Sequence, residues 1–292
     1  KKKITIIHYQ PIEKYPPILN IINNLSNTKL FITTIYTTNN FNNWFKADIK
    51  NTVLKRYSVY HNKNIYYRYF NYIIFNFTTF FNLIYSKPKI IIYYETFSVF
   101  PVFLYKLFFR NVKIFVHFHE YVSQSEKIKA SLYFKFLLYI ESKILKKVRW
   151  VSHTNIERLN MFHNDYNFLE YKLLNIYPNF PPANWKTLKN IKLYNKQTIS
   201  FVYVGSLSFE TMYLKEFISW ISLNPKTYNF DIYTSSNIKQ ELNNILQFNN
   251  ITNVKIYDEV NYFDLPKFLI NYDYGVVLYK GHIPNYVYNV PN

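Results

Sequence analysis

Two places in this 292-residue sequence combine residue types at spacings that could do chemistry. The first lies in the last third, where the apolar run Ile199 to Val204 leads into Gly205-Ser206 and then into a segment of helical period. A strand that delivers a small-residue turn to a helix N-terminus can bind phosphate, because the first-turn N–H groups lack intrahelical acceptors and the helix dipole favours an anion. Lys215, ten residues on, could return a cation toward that anion. Lys280-Gly281 closes a second apolar run, Tyr274 to Tyr279, and the polar loop beyond it carries Asn285, Asn289 and Asn292. Tyr257-Asp258-Glu259-Val260 follows a third run, and from there Tyr257 and Glu259 could hold a base or a ribose. A lone Gly-Ser turn also suits an ordinary strand-to-helix connection, and Asp258 and Glu259 also suit a solvated turn.

The second place is Val116-His117-Phe118-His119-Glu120-Tyr121, at the end of an apolar run of strand length. Ligands gather at the carboxyl ends of strands in open α/β sheets. Alternation puts His117 and His119 on one face, with Glu120 opening the loop. His119 and Glu120 are therefore candidates to face a substrate cleft, and a pair of packed histidines is the plain alternative. Two histidines and one carboxylate this close lack the second ligand element of a usual metal site. Further along, Ser152-His153-Thr154-Asn155-Ile156-Glu157-Arg158 reads as a helix start, with Thr154 or Ser152 as the cap and Glu157 completing a capping box. Arg158, one turn in, could reach an anion.

Strand-length apolar runs alternate with helical segments over the whole chain, the pattern of an α/β protein with parallel sheets. Strands are predicted at Ile4–His8, Leu30–Tyr36, Arg56–Tyr60, Ile90–Tyr94, Val112–Phe118, Trp150–Ser152 and Lys172–Ile176. Helices are predicted at Pro17–Leu25, Tyr66–Tyr85, Val99–Phe109, Lys127–Lys146 and Asn155–Phe162. That is a complete doubly wound domain over residues 1–180. Pro178, Pro181 and Pro182, followed by Lys186, Lys189 and Lys192, mark a linker over 181–198. A second series occupies 199–292: strands at Ile199–Val204, Asn229–Tyr233, Val254–Tyr257 and Tyr274–Tyr279, and helices at Leu214–Leu223, Ile238–Phe248 and Leu265–Ile270. It has four strands and stops at Val290-Pro291-Asn292 in a loop, so the chain reads as truncated, with a second sheet short of its last elements.

Composition narrows the classes. The sequence has no cysteine, which removes disulfides, thiolate metal ligands and thiol nucleophiles and suits a cytoplasmic protein. Lys1-Lys2-Lys3 precedes only Ile4 to Ile7, too short an apolar run for a secretion signal. The segment Tyr66–Tyr85 is strongly aromatic, but Arg68, Asn71, Asn76 and Asn82 argue for a buried or interfacial helix rather than a membrane span. Charge is uneven: residues 1–180 carry 25 Lys and Arg against 9 Asp and Glu, and residues 181–292 carry 10 against 8. An anionic partner would meet the first half. An anionic membrane, at the inner face of the plasma membrane, fits that field.

The pieces His119-Glu120-Tyr121, Ser152-His153-Thr154-Asn155 with Glu157-Arg158, Tyr177-Pro178-Asn179-Phe180-Pro181-Pro182, Tyr203-Val204-Gly205-Ser206, and Asp264-Leu265-Pro266 through Tyr286 together resemble retaining glycosyltransferases. The resemblance is to family 4 of the GT-B fold, the enzymes of bacterial envelope polysaccharide synthesis. It implies two Rossmann-like domains facing across a cleft, an acceptor-side N-terminal domain and a C-terminal domain that takes a UDP- or GDP-linked sugar. It also implies transfer to a glycan or lipid-linked acceptor with retention, no metal and no cofactor. In that reading Gly205 and Ser206 amides with Lys215 or Lys280 hold the diphosphate, and His119 orients the sugar or acceptor. The sequence departs from the family in its first loop, Tyr9 to Pro17, which has no glycine beside the donor phosphates. The family's acidic motif, whose last Glu contacts the donor, would fall beyond Asn292, so the resemblance implies the activity for the full-length parent and leaves that of this piece open. No carboxylate pair at glycosidase spacing is identifiable. The rival class is a non-catalytic basic protein that holds nucleic acid or an anionic membrane. Against nucleic acid, no RNP-like or helix-turn-helix pattern is present, and the aromatics fall within predicted elements as core residues would.

Overall fold

The structure is a computed structural model that describes residues 1–28, 30–39, 45, 51–57, 64–181, 185, 198–282 and 287–288. It comprises two compact α/β units, Lys1–Phe180 and Pro181–Pro291.

The first unit is built on a seven-stranded parallel sheet in the order β3-β2-β1-β4-β5-β6-β7. The strands are β1 (Lys2–His8), β2 (Phe31–Thr38), β3 (Thr52–Tyr57), β4 (Ile90–Tyr94), β5 (Lys113–Phe118), β6 (Trp150–His153) and β7 (Leu174–Ile176). The central strands are apolar at consecutive positions because helices cover both faces, so every side chain meets a packed layer. Ile4, Ile6 and Ile7 of β1 and Ile91, Tyr93 and Tyr94 of β4 are all buried. Helices α1 (Pro16–Asn27), α2 (Ile65–Ser86), α3 (Val99–Phe108), α4 (Gln124–Lys129), α5 (Leu132–Leu145) and α6 (Ile156–Asp165) connect them. Pro16 and Pro17 sit in the first turn of α1, where a missing N–H costs nothing. Asn64 caps α2, its Oδ1 accepting from Tyr66 N at 2.9 Å, and Lys87 ends the helix in the left-handed region at φ 47.

Several local expectations change, among them the strand expected over Arg56–Tyr60, which forms over Thr52–Tyr57. The single helix expected over Lys127–Lys146 is two, α4 and α5, because Ser131 offers a second cap that accepts from Phe134 N at 3.2 Å. The capping box belongs to Ser123 and Glu126 of α4. The cap of α6 is Asn155, accepting from Arg158 N at 2.9 Å, rather than Thr154 or Ser152, so Glu157 does not complete a box there.

The second unit has a four-stranded parallel sheet in the order β10-β9-β8-β11: β8 (Ile199–Val204), β9 (Tyr228–Tyr233), β10 (Val254–Tyr257) and β11 (Tyr274–Gly275). Helices α7 (Leu214–Ser222), α8 (Lys239–Phe248) and α9 (Leu265–Leu269) pack on it. Its core is Leu214, Ile218 and Ile221 of α7 against Phe230 and Ile232 of β9 and Leu242 of α8. The strand expected over Tyr274–Tyr279 is two residues long, and Val276 to Lys280 instead run beside the loop that precedes α7. Most of the expected linker lies outside the described residues. Among the described residues no helix is long and apolar enough to cross a membrane.

Candidate functional site

In the first sheet β1 connects outward to β2 and β4 connects outward the other way to β5, so the order of strand addition reverses between these two parallel neighbours. Loops leaving the carboxyl ends of such a pair diverge and leave a crevice, the usual ligand position in open α/β sheets. Four strand ends supply the polar groups here. β1 ends at His8, buried, whose Nδ1 donates to the Gln10 carbonyl at 2.6 Å. The loop beyond it brings the Tyr15 ring to 4.2 Å from His8 and 6.0 Å from His119 between centroids. Tyr15 Oη also donates to the Gln10 side chain.

β4 delivers Glu95, half-buried, with φ 61 and ψ 155, a backbone conformation that costs a side-chain-bearing residue about 1–3 kcal/mol and clusters at working sites. Two bonds hold it there. Glu95 N donates to the His117 carbonyl at 3.2 Å, and its carboxyl accepts from His119 N at 2.6 Å. β6 and α6 deliver Arg158, a buried guanidinium whose Nη1 donates to the His119 carbonyl at 2.6 Å and to Thr154 Oγ1 at 3.1 Å. The turn at His119 is thus gripped at its N–H by Glu95 and at its carbonyl by Arg158. Glu120, next in sequence, is exposed.

Burial governs the protonation states. It pushes the Glu95 carboxyl up to about 8; the His119 N–H opposes this and neighbouring Glu120 adds to it. Burial, helped by Arg158, pulls His119 down to about 4, and burial pulls His8 down to about 3. Burial therefore favours the uncharged form of all three side chains, and His119 Nδ1 has no hydrogen-bond partner among the described residues. Neutral donors and acceptors around an already engaged cation suit hydroxyl groups better than a free phosphate, which needs compensating charge.

In the second unit the reversal lies between β8 and β11, and the loops after both strands emerge there. Gly205 ends β8 at φ 146, its N–H bonded to the Tyr233 carbonyl at 3.1 Å. A Cβ at Gly205 would meet Tyr203 Oη at 3.2 Å. The expected direct passage from Gly205-Ser206 into a helix is not what forms. The loop 206–213 intervenes and α7 begins at Leu214, because the residues between find partners of their own. Tyr203 Oη donates to the Ser206 carbonyl at 2.7 Å and Leu207 N donates to Ser236 Oγ at 2.6 Å. Tyr213 N bonds the Leu278 carbonyl at 2.7 Å and Lys280 N bonds the Thr211 carbonyl at 2.8 Å, which ties this loop to the segment after β11.

Lys280 and Gly281 are thereby brought beside the Gly205 loop. Lys280 Nζ lies 3.9 Å from Glu216 and 5.4 Å from the Tyr213 ring centroid. Lys215 is exposed and its Nζ sits 4.5 Å from the Phe209 ring centroid, so no bound anion is needed to place it. Tyr257, at the end of β10, stacks on Tyr233 at 5.0 Å, on the same end of the sheet. Glu259 is exposed beyond it, while Asp258 pairs with Lys239 at 2.5 Å. Asn285, Asn289 and Asn292 lie outside the described residues.

Glu95, Tyr15 and His8 were not singled out by sequence. The available signal was weak: a carboxylate directly after the apolar run Ile90–Tyr94, at the carboxyl end of a central strand. Among the described residues no group of three or more His, Cys, Asp or Glu is arranged to hold a metal ion.

No family model and no curated protein sequence matches the chain. Solved structures do match. It is similar to a sucrose-phosphate synthase from Thermosynechococcus elongatus at TM-score 0.64 and 11% identity, covering 94% of this chain and 75% of that one. The fold is GT-B. The lipopolysaccharide outer core galactosyltransferase WaaB, in its apo form, matches at TM-score 0.55 and 13% identity over 92% of this chain and 70% of that one. A UDP-GlcNAc 2-epimerase from Neisseria meningitidis, bound to UDP-GlcNAc, matches at TM-score 0.54 and 11% identity over 92% and 75%. At such identities the likeness establishes the fold and leaves the reaction to be argued from the residues.

Proposed function

We propose that this chain is a glycosyltransferase that moves a sugar from a UDP- or GDP-linked donor to a cell-envelope glycan or lipid-linked acceptor with retention of configuration. The observation that carries the reading is the array at the reversal of the first sheet, where His119 is fixed between Glu95 and Arg158 and presents neutral hydrogen-bonding groups. Such a surface suits a hydroxyl-bearing acceptor or the transferred sugar. In the second unit the Gly205 and Ser206 loop, with Lys280 and Lys215, supplies amides and cations for a diphosphate. Departure of the diphosphate would be assisted by those groups as charge builds on it. The acceptor hydroxyl attacks from the face the leaving group vacates, its proton passing to the departing phosphate. Retention, family 4 membership, the site residues, the absence of a cofactor and a cytoplasmic place at the inner membrane face all belong to this proposal.

The reading is tested by incubating the protein with UDP- and GDP-sugars, with and without envelope glycan acceptors, and following nucleoside diphosphate release and the anomeric configuration of the product. Acceptor-dependent release with a retained anomer supports it. Because an epimerase shares the fold, UDP-GlcNAc alone belongs in the assay, and conversion to its 2-epimer would replace the transferase reading.

A further inference from the structure

α2 is apolar on two opposite faces. Its 22 residues turn about once per 3.6 positions, so Tyr72, Phe75, Thr79 and Leu83 form one stripe, and all are buried against the sheet and its neighbours. On the other side Tyr66, Phe70, Ile73, Phe77, Phe81 and Tyr85 form a second stripe about 28 Å long at about 1.5 Å per residue. All six are exposed, Phe81 by 63% and Tyr85 by 91%. Of the buried or interfacial helix expected over Tyr66–Tyr85, the exposed stripe matches the interfacial alternative, and it departs from the general expectation that the aromatics are core residues. A helix apolar all round is normally covered on every side, so the outward stripe lacks the partner its composition calls for.

The surroundings say what that partner is. α3 packs between α2 and α5 on the same side of the sheet, which sets Leu107 and Phe108 of α3 and Leu132 and Phe136 of α5 on the same exposed surface. The only carboxylate in α2, α3 or α5 is Glu141, and it is buried. The exposed charges on and beside these helices include Arg68, Lys87, Arg110, Lys135, Lys143 and Lys147, and the exposed acid next to them in sequence is Glu126 of α4. A second copy of the chain would bring the same cations against themselves. A phospholipid surface with anionic headgroups would take the aromatics at the headgroup and acyl boundary and the cations among the phosphates, each cation adding about 1 kcal/mol.

We propose that the outward face of α2, flanked by α3 and α5, is a docking surface for an anionic lipid bilayer, which the protein meets in the plane of the interface without spanning it. This deepens the membrane side of the reading above and is independent of transfer chemistry, so vesicle binding can fail while donor binding stands.

The experiment is flotation of the full chain with vesicles of phosphatidylcholine alone and of phosphatidylcholine with about 30% phosphatidylglycerol, at low and high salt. Binding should need phosphatidylglycerol and weaken with salt, and the triple variant Phe70→Ser, Phe77→Ser, Phe81→Ser should bind at least about tenfold more weakly with its melting temperature held. The variant Phe81→Trp gives a reading that leaves folding intact: the fluorescence it adds over wild type should be quenched by brominated lipid acyl chains. Three results would each overturn the proposal. They are binding that ignores phosphatidylglycerol and salt, an unquenched added signal from the Phe81→Trp variant in its bound state, and a dimer by light scattering that the triple substitution dissolves.

Discussion

Glu141 gives a pH-dependent prediction whose sign and size follow from its place in the core. It lies on α5, 1% exposed, with Thr96 Oγ1 donating to its Oε2 at 3.1 Å and no partner for its Oε1 among the described residues. Burial pushes its carboxyl up to about 8; the Thr96 hydroxyl opposes that and Glu95 nearby adds to it. A carboxyl raised in the folded state binds more protons folded than unfolded, so its contribution to stability is fully present below the ordinary carboxylate range and is lost as pH rises through about 8. A rise from 4.5 to about 8 sets a ceiling of about 5 kcal/mol at about 1.4 kcal/mol per unit, and coupling to Glu95 with local relaxation brings the expected effect to about 2–3 kcal/mol. Glu141→Gln keeps an acceptor for Thr96 and removes the ionisation. At about 2–4 °C per kcal/mol, its melting temperature should exceed wild type by about 5–10 °C at pH 9 and match it within about 2 °C near pH 4.5. Melting followed by circular dichroism from pH 4.5 to 9 makes the comparison. Parallel curves for the two proteins would refute the argument, because they would mean that Glu141 ionises without cost and is not buried as described.

Substitutions at three further positions probe the two units. His119→Ala should lower kcat/KM about a hundredfold, the loss of one positioned polar group, with a melting temperature close to wild type. If it unfolds the protein while each folded molecule keeps full activity, His119 is a core residue. Arg158→Met removes the donor to the His119 carbonyl and to Thr154 and should cost about 2–4 kcal/mol in urea unfolding, while Arg158→Lys should cost less, because both bonds leave the single Nη1 and one ammonium has donors enough for both; an unchanged midpoint for Arg158→Met would show that these bonds contribute nothing. Gly205→Ala places a Cβ at φ 146 and 3.2 Å from Tyr203 Oη, and should cost about 1–3 kcal/mol in the same assay. A neutral result there would mean that the loop relaxes freely.

Strand positions were the most legible part of the fold, since β4, β8 and β10 begin and end where their apolar runs do. β4 and β8 are central strands of parallel sheets, where such runs are expected, while β10 is an edge strand marked by its β-branched and aromatic residues Val254, Ile256 and Tyr257. Boundaries failed where side chains compete for the backbone. Ser131 splits a continuous helical pattern, and Asn155 takes a cap that Thr154 also fits. The Gly205-Ser206 turn reads as a helix start from composition alone, yet Tyr203, Ser236 and the segment after β11 occupy its backbone groups through contacts distant in sequence. The histidine at 119 was visible from its place after a strand. Its grip by Glu95 and Arg158 was not, because that depends on β4, β5 and β6 lying side by side. Sequence left α2 between a buried and an interfacial helix for a related reason: a helix apolar on both faces looks the same in sequence whether it is covered or not.

Titration calorimetry of this chain with UDP- and GDP-sugars, alongside free UDP and GDP, tests the donor reading most directly. One nucleotide should bind with a dissociation constant in the micromolar to millimolar range, its sugar conjugate competing for the same site, and Gly205→Trp should abolish the heat while the fold is retained. No binding of any nucleotide by the wild-type chain, or equal binding by wild type and Gly205→Trp, would contradict it.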